Sequence, residues 1–373
     1  MSKTTDTSVV IYGGGMAGGL LARKLSSKVH VRLVDPLPFF EIPMAAPRNL
    51  VEPAFADKAV FAFSEALPDV EHIAARLVEF TTEGGIVEDA DGKRTLVTGG
   101  VSVLATGSRF ANELVRATSG SMLDRKAYYR RFHDRLKNAQ RVLIVGGGPI
   151  GVEIAGEILE TWPGKKVTLV EAGPRLLAGT SETAATHAAD FLRQRGVDIV
   201  LGERLQFDGG TPADPFGEAG SVVTSTGREL AYDLLVWSIG GRPNTAYMSP
   251  HFADSLDAAG RIKVGPDLRV PGLERVFAIG DITDLDENKM AAHIKGQLPV
   301  AEANILSILE GRPPAKTYQA KTGNPMMALT LGKRAGVVHL PPLGVFKAKW
   351  IARKIKAENM LVPLYRKALG LGR

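Results

Sequence analysis

Ser8-Val9-Val10-Ile11-Tyr12 runs straight into Gly13-Gly14-Gly15-Met16-Ala17-Gly18. The first five residues are β-branched or apolar and read as a buried strand. An apolar helical stretch follows to about Ser26, and Val29–Val34 reads as a second strand that ends at Asp35. This is a βαβ unit with the spacing Gly13-x-Gly15-x-x-Gly18 at its first turn. The pattern recurs one domain length downstream. Arg141–Val145 is a strand, Gly146-Gly147-Gly148-Pro149-Ile150-Gly151 the turn, and Val152 to about Glu160 the helix. A strand at Lys166–Val170 then ends at Glu171. A lone glycine motif is weak in a chain with 41 glycines. Here each copy follows a strand, opens a helix and precedes an acid, Asp35 at 22 and Glu171 at 25 residues past the first glycine.

The glycines have distinct tasks. Gly13 and Gly146 allow the tight turn. Gly15 and Gly148 let backbone approach a pyrophosphate, with Ile150 beside the second turn. Gly18 and Gly151 let helix and strand pack closely, and the helix N-terminus attracts the phosphate. Asp35 and Glu171 are placed to accept ribose hydroxyls. Two Gly-rich turns without ligands would leave those terminal acids unexplained. A carboxylate also repels a 2′-phosphate, so Glu171 favours NADH; Arg175, four residues on, leaves room for NADPH.

Composition narrows the chemistry. Hydrophobic residues make up 45% and charged residues 23% of 373, which excludes a disordered or fibrous chain. Cys is absent, so no disulfide, thiolate metal site or redox dithiol is available. No metal is expected, and redox chemistry has to come from a bound cofactor. A nicotinamide needs an acceptor, and FAD best fills the first site. Val101–Ala105 leads into Thr106-Gly107-Ser108, Leu234–Trp237 into a turn with Gly240, and Arg275–Ile279 into Gly280-Asp281. Asp281 suits a ribityl chain, and reads equally as a helix N-cap.

A helical pattern over about Lys289–Glu310, Met290 included, would bring its positive N-terminus to the flavin. His293 and Gln297 lie four apart on it and are expected to point together at a substrate. Glu153 in the first turn after the second glycine motif is expected at the nicotinamide–flavin junction, with Arg48 as partner. Ordinary helix-dipole preference also explains Glu153.

The net charge of +6 is uneven. Residues 331–373 hold ten Lys and Arg against the single acid Glu358, a local charge of +9, while the rest carries −3. A basic helix is predicted at about Val345–Ala357. Val345, Ala348, Ile351, Ala352 and Ile355 form one apolar stripe, and Phe346, Trp350 and Ala357 a second. A core helix needs only one, so the tail is expected on an anionic membrane surface. The competing reading is a solvated basic face. No nucleic-acid motif is present. Lys3 and Asp6 ahead of the apolar run predict no secretory leader, and Ser2 in place of glycine predicts no N-myristoylation. A cytoplasmic protein in peripheral contact with a membrane is expected; oligomeric state stays open.

Gly13–Gly18, Leu104–Ser108, Gly146–Glu157 and Val276–Asp281 resemble the two-dinucleotide-domain flavoproteins. Ala46-Pro47-Arg48 through Val51-Glu52, Lys289-Met290-Ala291, Ala303-Asn304-Ile305 and Leu331–Val337 narrow the resemblance to the ferroptosis suppressor, apoptosis-inducing-factor-like NAD(P)H:quinone oxidoreductases. It implies an α/β fold of two Rossmann-like domains, for FAD and NAD, with a small C-terminal α+β region. The implied division is an FAD domain at 1–112 and 245–318, an inserted NAD domain at 113–244, and a basic region at 319–373. It implies hydride transfer from NADH to FAD and then two electrons to a quinone. His293 and Gln297 fall where related type II NADH dehydrogenases carry paired glutamines at the quinone. The chain departs from the animal proteins in lacking an acylated N-terminal glycine and in having an acid at Glu171. An NADH-dependent ferredoxin or rubredoxin reductase, and a slow-turnover redox-gated interaction protein, are the alternative readings.

Overall fold

A computed structural model describes residues 7–207, 214, 216–323 and 326–372. Residues 1–6, on which the leader and acylation readings rest, and Arg373 of the basic tail lie outside the described residues. The first part of the chain supplies strands β1 (Val9–Tyr12), β2 (Val31–Val34), β3 (Glu71–Ile73) and β4 (Val101–Leu104). The middle supplies β5 (Arg141–Val145), β6 (Lys166–Glu171), β7 (Asp198–Leu201) and β8 (Leu234–Trp237), and β9 (Val276–Ala278) comes later. They form two parallel sheets, ordered β9-β4-β1-β2-β3 and β7-β6-β5-β8. The order in which strands are added reverses beside the glycine-bearing strand of each sheet, β1 or β5. In open parallel sheets a ligand binds at such a switch point, outside the carboxyl ends of the strands.

The strands follow from their composition. Val9, Val10, Ile11 and Tyr12 are all sealed from solvent, as a parallel strand covered on both faces requires. The Tyr12 hydroxyl donates to the Val97 carbonyl at 2.8 Å and accepts from Gly85 N–H at 2.9 Å. It thus ties the first sheet to an antiparallel ribbon of Arg76–Phe80, Gly85–Glu88 and Arg94–Val97.

Five helices matter for the site: α1 (Met16–Leu25), α2 (Ala46–Val51), α3 (Met122–Asn138), α4 (Pro149–Thr161) and α5 (Ala291–Leu309). A capping box between Ser121 and Asp124 starts α3. The chain leaves the first sheet at Ser108–Arg109 and returns at Arg242–Pro243, and these segments pair antiparallel.

The C-terminal region departs from the expected basic helix at Val345–Ala357. An antiparallel sheet of β10 (Met327–Thr330), β11 (Gly336–Leu340) and β12 (Gly344–Phe346) absorbs Val345 and Phe346, which pair with His339 and Val338. The helix is only α6 (Lys349–Ala352), continued by a wide i→i+5 turn at Arg353–Ala357. A further helix, α7 (Val362–Ala368), follows. The wide turn changes the wheel. Ala357 and Lys356 turn inward with Ala352, whereas Ile355 of the supposed first stripe is 38% exposed. Of the expected second stripe only Trp350 is exposed; Ala357 is buried and Phe346 is half-buried in β12.

Candidate functional site

The two glycine turns are built alike. A Cβ on Gly18 would sit 1.9 Å from the Gly13 carbonyl oxygen, and one on Gly151 2.0 Å from that of Gly146. Only glycine lets α1 and α4 come so near their strands. Gly13 and Gly146 have φ of +106° and +107°, the region that disfavours side chains. Gly15 and Gly148 cap α1 and α4, and neither helix has a side-chain N-cap bond or an acid in its first turn; α4 begins at Pro149, so Glu153 lies beyond the first turn expected for it. The first-turn amides of α1 are therefore open to an anion, and in α4, where Pro149 has no N–H, those of Ile150 and Gly151 are. No described residue stands within 4 Å of a Cβ placed on Gly148. These cradles fit the pyrophosphates of FAD and of a nicotinamide dinucleotide.

The terminal acids brace the same turns. Asp35 accepts from Gly14 N–H at 2.6 Å and from Leu37 N–H at 2.9 Å. Glu171 accepts from Gly147 N–H and Gly173 N–H, both at 2.7 Å. Arg175 donates to the carbonyls of Leu176, Leu177 and Thr180, so its guanidinium is anchored in its own loop. Arg116, which no sequence pattern marked, binds Asp35 at 2.7 Å and lies over the Gly15 turn. A cation beside an uncapped helix N-terminus makes a place for a diphosphate.

Thr106 and Gly107 stand at the end of β4. Thr106 Oγ1 donates to the Asn244 carbonyl at 2.7 Å and is 2.9 Å from the Tyr247 hydroxyl, and Asn244 N–H donates to Gly107. Gly240 is exposed, with open space around it. Gly280 has φ of +80° and would bring a Cβ to 3.0 Å from Ala17 of α1. The Asp281 carboxylate makes no hydrogen bond with a described residue. Burial pushes it above the usual carboxylate range, against the opposing pull of Lys289 and Arg261. Met290 precedes the first turn of α5.

Glu153 is buried, but Arg48 is not its partner. Arg48 forms a two-pronged pair with Glu157, Nε to Oε2 at 2.6 Å and Nη2 to Oε1 at 2.7 Å, and also donates to the Ala357 carbonyl. Glu157 lies one turn beyond Glu153 on α4, so the expected pair is displaced by one turn. Burial pushes the Glu157 carboxyl up, while Arg48 draws it down. Glu153 instead receives Lys356 Nζ at 2.5 Å, Thr330 N–H at 2.9 Å and Thr330 Oγ1 at 3.2 Å, all on Oε1. Oε2 has no hydrogen bond from a described residue. The wide turn at Arg353–Ala357 is what swings Lys356 inward, and no helical wheel reveals it.

His293 and Gln297 also part from expectation. They converge on a buried carboxylate, Glu287, instead of pointing side by side at a substrate. Gln297 Oε1 accepts from Gly280 N–H at 2.7 Å, and its Nε2 donates to Glu287 at 2.8 Å. His293 Nδ1 lies 3.1 Å from Glu287 Oε2. Gln297 thus has its amide committed within the protein, whereas His293 Nε2 is buried without a partner among the described residues. Glu287 escaped sequence reading because it sits in a loop run, Asp284-Leu285-Asp286-Glu287, of surface-like composition.

The signature of the pyridine nucleotide-disulphide oxidoreductases matches residues 7–303. The chain is 28% identical to apoptosis-inducing factor homolog B of Dictyostelium discoideum, over 96% of this chain and 95% of that protein. It is 30% identical to ferroptosis suppressor protein 1 of Mus musculus, over 96% and 95%. The sulfide:quinone oxidoreductase of Aquifex aeolicus shares the fold with a TM-score of 0.74, at 16% identity and 98% and 92% coverage. Lacking any cysteine, this sequence cannot carry the dithiol of the family's name. The chain belongs to the pyridine nucleotide-disulphide oxidoreductase family, alongside the ferroptosis suppressor and apoptosis-inducing-factor homologues, and is an FAD-dependent oxidoreductase that uses a nicotinamide dinucleotide.

Proposed function

We propose that the enzyme passes electrons from NADH to a quinone held at a membrane surface. One observation carries this reading: the segment that exposes Trp350 among Lys347, Lys349 and Lys354 also sends Lys356 inward to Glu153. A lipid-seeking surface and the expected hydride junction are thus six residues apart. Leu343, 74% exposed at the turn before β12, adds an apolar group to the same C-terminal unit. These exposed apolar side chains favour lipid over the acidic protein carrier of the alternative reading. No helix among the described residues is long and apolar enough to cross a membrane, so contact would be peripheral.

FAD, when bound, accepts a hydride from NADH and releases two electrons to the next acceptor. The chain's own residues divide the remaining work. Gly13, Gly15 and Gly18 with Arg116 would hold the FAD pyrophosphate, and Asp35 the adenosine ribose. Thr106, Gly107, Gly280 and Asp281 would line the rest of FAD, with Met290 beside it. Gly146, Gly148, Ile150 and Gly151 would hold the dinucleotide diphosphate, Glu171 its ribose, with Gly240 on the open side. Glu153, held by Lys356, would orient the nicotinamide through Oε2, and Arg48 would fix α4 through Glu157. The division into 1–112 with 245–318, 113–244 and 319–373 is retained as the domain proposal, the pairing of Ser108–Arg109 with Arg242–Pro243 marking the crossing.

The test is steady-state turnover of NADH with short-chain ubiquinone and menaquinone, beside an acidic ferredoxin. Quinone turnover that rises on adding anionic vesicles supports the reading. Reduction of ferredoxin alone overturns it in favour of the carrier reductase, and turnover below about one per minute with every acceptor favours the interaction protein.

A further inference from the structure

Glu287 comes from an acid-rich loop run, yet its side chain is 2% exposed. A buried carboxylate is tolerated where donors meet it. Gln297 Nε2 reaches Oε1 at 2.8 Å, and the Tyr318 hydroxyl and Lys321 N–H reach Oε2 at 2.6 and 3.3 Å. Burial and the adjoining carboxylate push the Tyr318 hydroxyl above its ordinary value, so it stays a donor. Tyr318 is itself fixed. Its N–H donates to the Pro266 carbonyl at 2.7 Å, and a Cβ on Gly296 of α5 would lie 3.0 Å from its ring. Glu287 is therefore held from two sides, by α5 and by the 318–321 segment.

Gln297 passes that hold to the flavin side. An amide beside a carboxylate has to turn its NH2 end toward it, which sends its oxygen the other way. That oxygen, Oε1, accepts from Gly280 N–H at 2.7 Å. Gly280 has φ of +80°, and its carbonyl accepts from Thr283 Oγ1 at 2.9 Å. Lys289 Nζ closes the same turn on the carbonyls of Thr283 and Leu285, at 2.8 and 2.9 Å. The backbone on both sides of Asp281 is thus pinned, while the Asp281 carboxylate has no donor among the described residues. We propose that Glu287, acting through Gln297, is a positioning residue for FAD: it fixes the Gly280 turn and so aims the free Asp281 carboxylate at the flavin half of the cofactor. The inference rests on the assignment of Gly280 and Asp281 to the FAD site. It is independent of the quinone reading, since no acceptor takes part.

Binding of two ligands separates this role from a merely structural one. The full chain is stripped of flavin, and its Kd for FAD is read from quenching of flavin fluorescence. ADP, added as a competitor of FAD, reports on the Gly13–Asp35 end alone. For Gln297→Leu the Kd for FAD is expected to rise about tenfold or more, the scale of a lost charge-assisted hydrogen bond, with ADP competition unchanged. Tyr318→Phe is a milder second variant, which keeps the ring on Gly296 and removes one donor from Glu287; a smaller rise of the same kind is expected. Exchanging the pair, Glu287→Gln with Gln297→Glu, should recover most of the affinity. The carboxylate at 297 then accepts from Gly280 N–H and from the new amide at 287, whose oxygen still accepts from Tyr318 and Lys321. Equal weakening of FAD and ADP in Gln297→Leu, or an exchanged pair that binds FAD as poorly as Gln297→Leu, overturns the proposal. Asp281→Ala distinguishes the two levels of failure. If it leaves FAD binding unchanged, the turn is removed from the FAD site and the inference falls with it. If it weakens FAD while Gln297→Leu does not, the inference alone is overturned.

Discussion

Glu153 and Glu157 stand one turn apart on α4, and each meets a cation from elsewhere in the chain. Both pairs are almost wholly buried. Removing one partner from such a pair typically costs about 3–5 kcal/mol, because the other charge stays behind without compensation. Lys356→Met should therefore lower the thermal midpoint strongly. Glu153→Gln combined with Lys356→Met should recover much of that loss. Additive losses in a double-mutant cycle would show that the two side chains are not coupled. The Arg48–Glu157 pair gives a pH test. Burial raises the folded Glu157 carboxyl above its unfolded value, so the folded state binds that proton more tightly. Its stabilising contribution is present at acid pH and is lost as pH rises through the raised value. Arg48→Met removes the opposing pull and raises the carboxyl further. Melting followed from about pH 5 to about pH 8 should show the variant falling progressively further below the parent. A constant gap would contradict this. The displaced partner of Arg48 has a simple origin: two glutamates share one helix face, and spacing alone does not say which one faces α2.

The two βαβ turns were legible because their backbones force the residue choice. At Gly18 and Gly151 a methyl group would meet a carbonyl oxygen, and at Gly13 and Gly146 the φ angle is positive. Such constraints leave a mark at the residue itself. Lys356, Arg116 and Glu287 left none, since each owes its role to a partner distant in sequence and to a loop or wide turn without periodicity. The predicted helix at Val345–Ala357 failed for a related reason: pairing with β11 outweighed the helical pattern for Val345 and Phe346. The glycines themselves separate packing from binding. Gly18→Ala should lose FAD and purify with a lowered thermal midpoint, because its Cβ has no space. Gly148 has φ of −71° and open surroundings, so Gly148→Ala should keep stability within about 0.5 kcal/mol. Its methyl group would nevertheless project where the dinucleotide phosphate must come close, and the KM for NADH should rise about tenfold or more, on the scale of a lost charge-assisted contact. Unchanged NADH kinetics in Gly148→Ala would remove this turn from the binding site.

The charge of the whole molecule is divided between a slightly acidic body and a basic end, and the fold gives that division a direction. Arg48 of α2, Glu153 and Glu157 of α4, and Lys356 of the basic end meet at one buried junction. The C-terminal unit is therefore part of the core on its inner side. Its outer side presents Trp350, 66% exposed, and the cations Lys347, Lys349, Arg353 and Lys354. Interfacial binding of this kind combines burial of an aromatic ring with attraction to anionic lipid, and near a surface each cation contributes about 1 kcal/mol. The two contributions respond differently to salt. Co-flotation with phosphatidylserine vesicles should weaken as ionic strength rises, since screening acts on the lysines. Trp350→Ser should weaken flotation even at low salt, while Lys347→Gln with Lys349→Gln should flatten the salt dependence. Neither change touches Lys356, so the thermal midpoint and NADH:ferricyanide turnover should stay at the parent level. Flotation that persists in both variants would place the lipid contact elsewhere. Absence of flotation in the parent would leave the basic end to an acidic protein carrier instead.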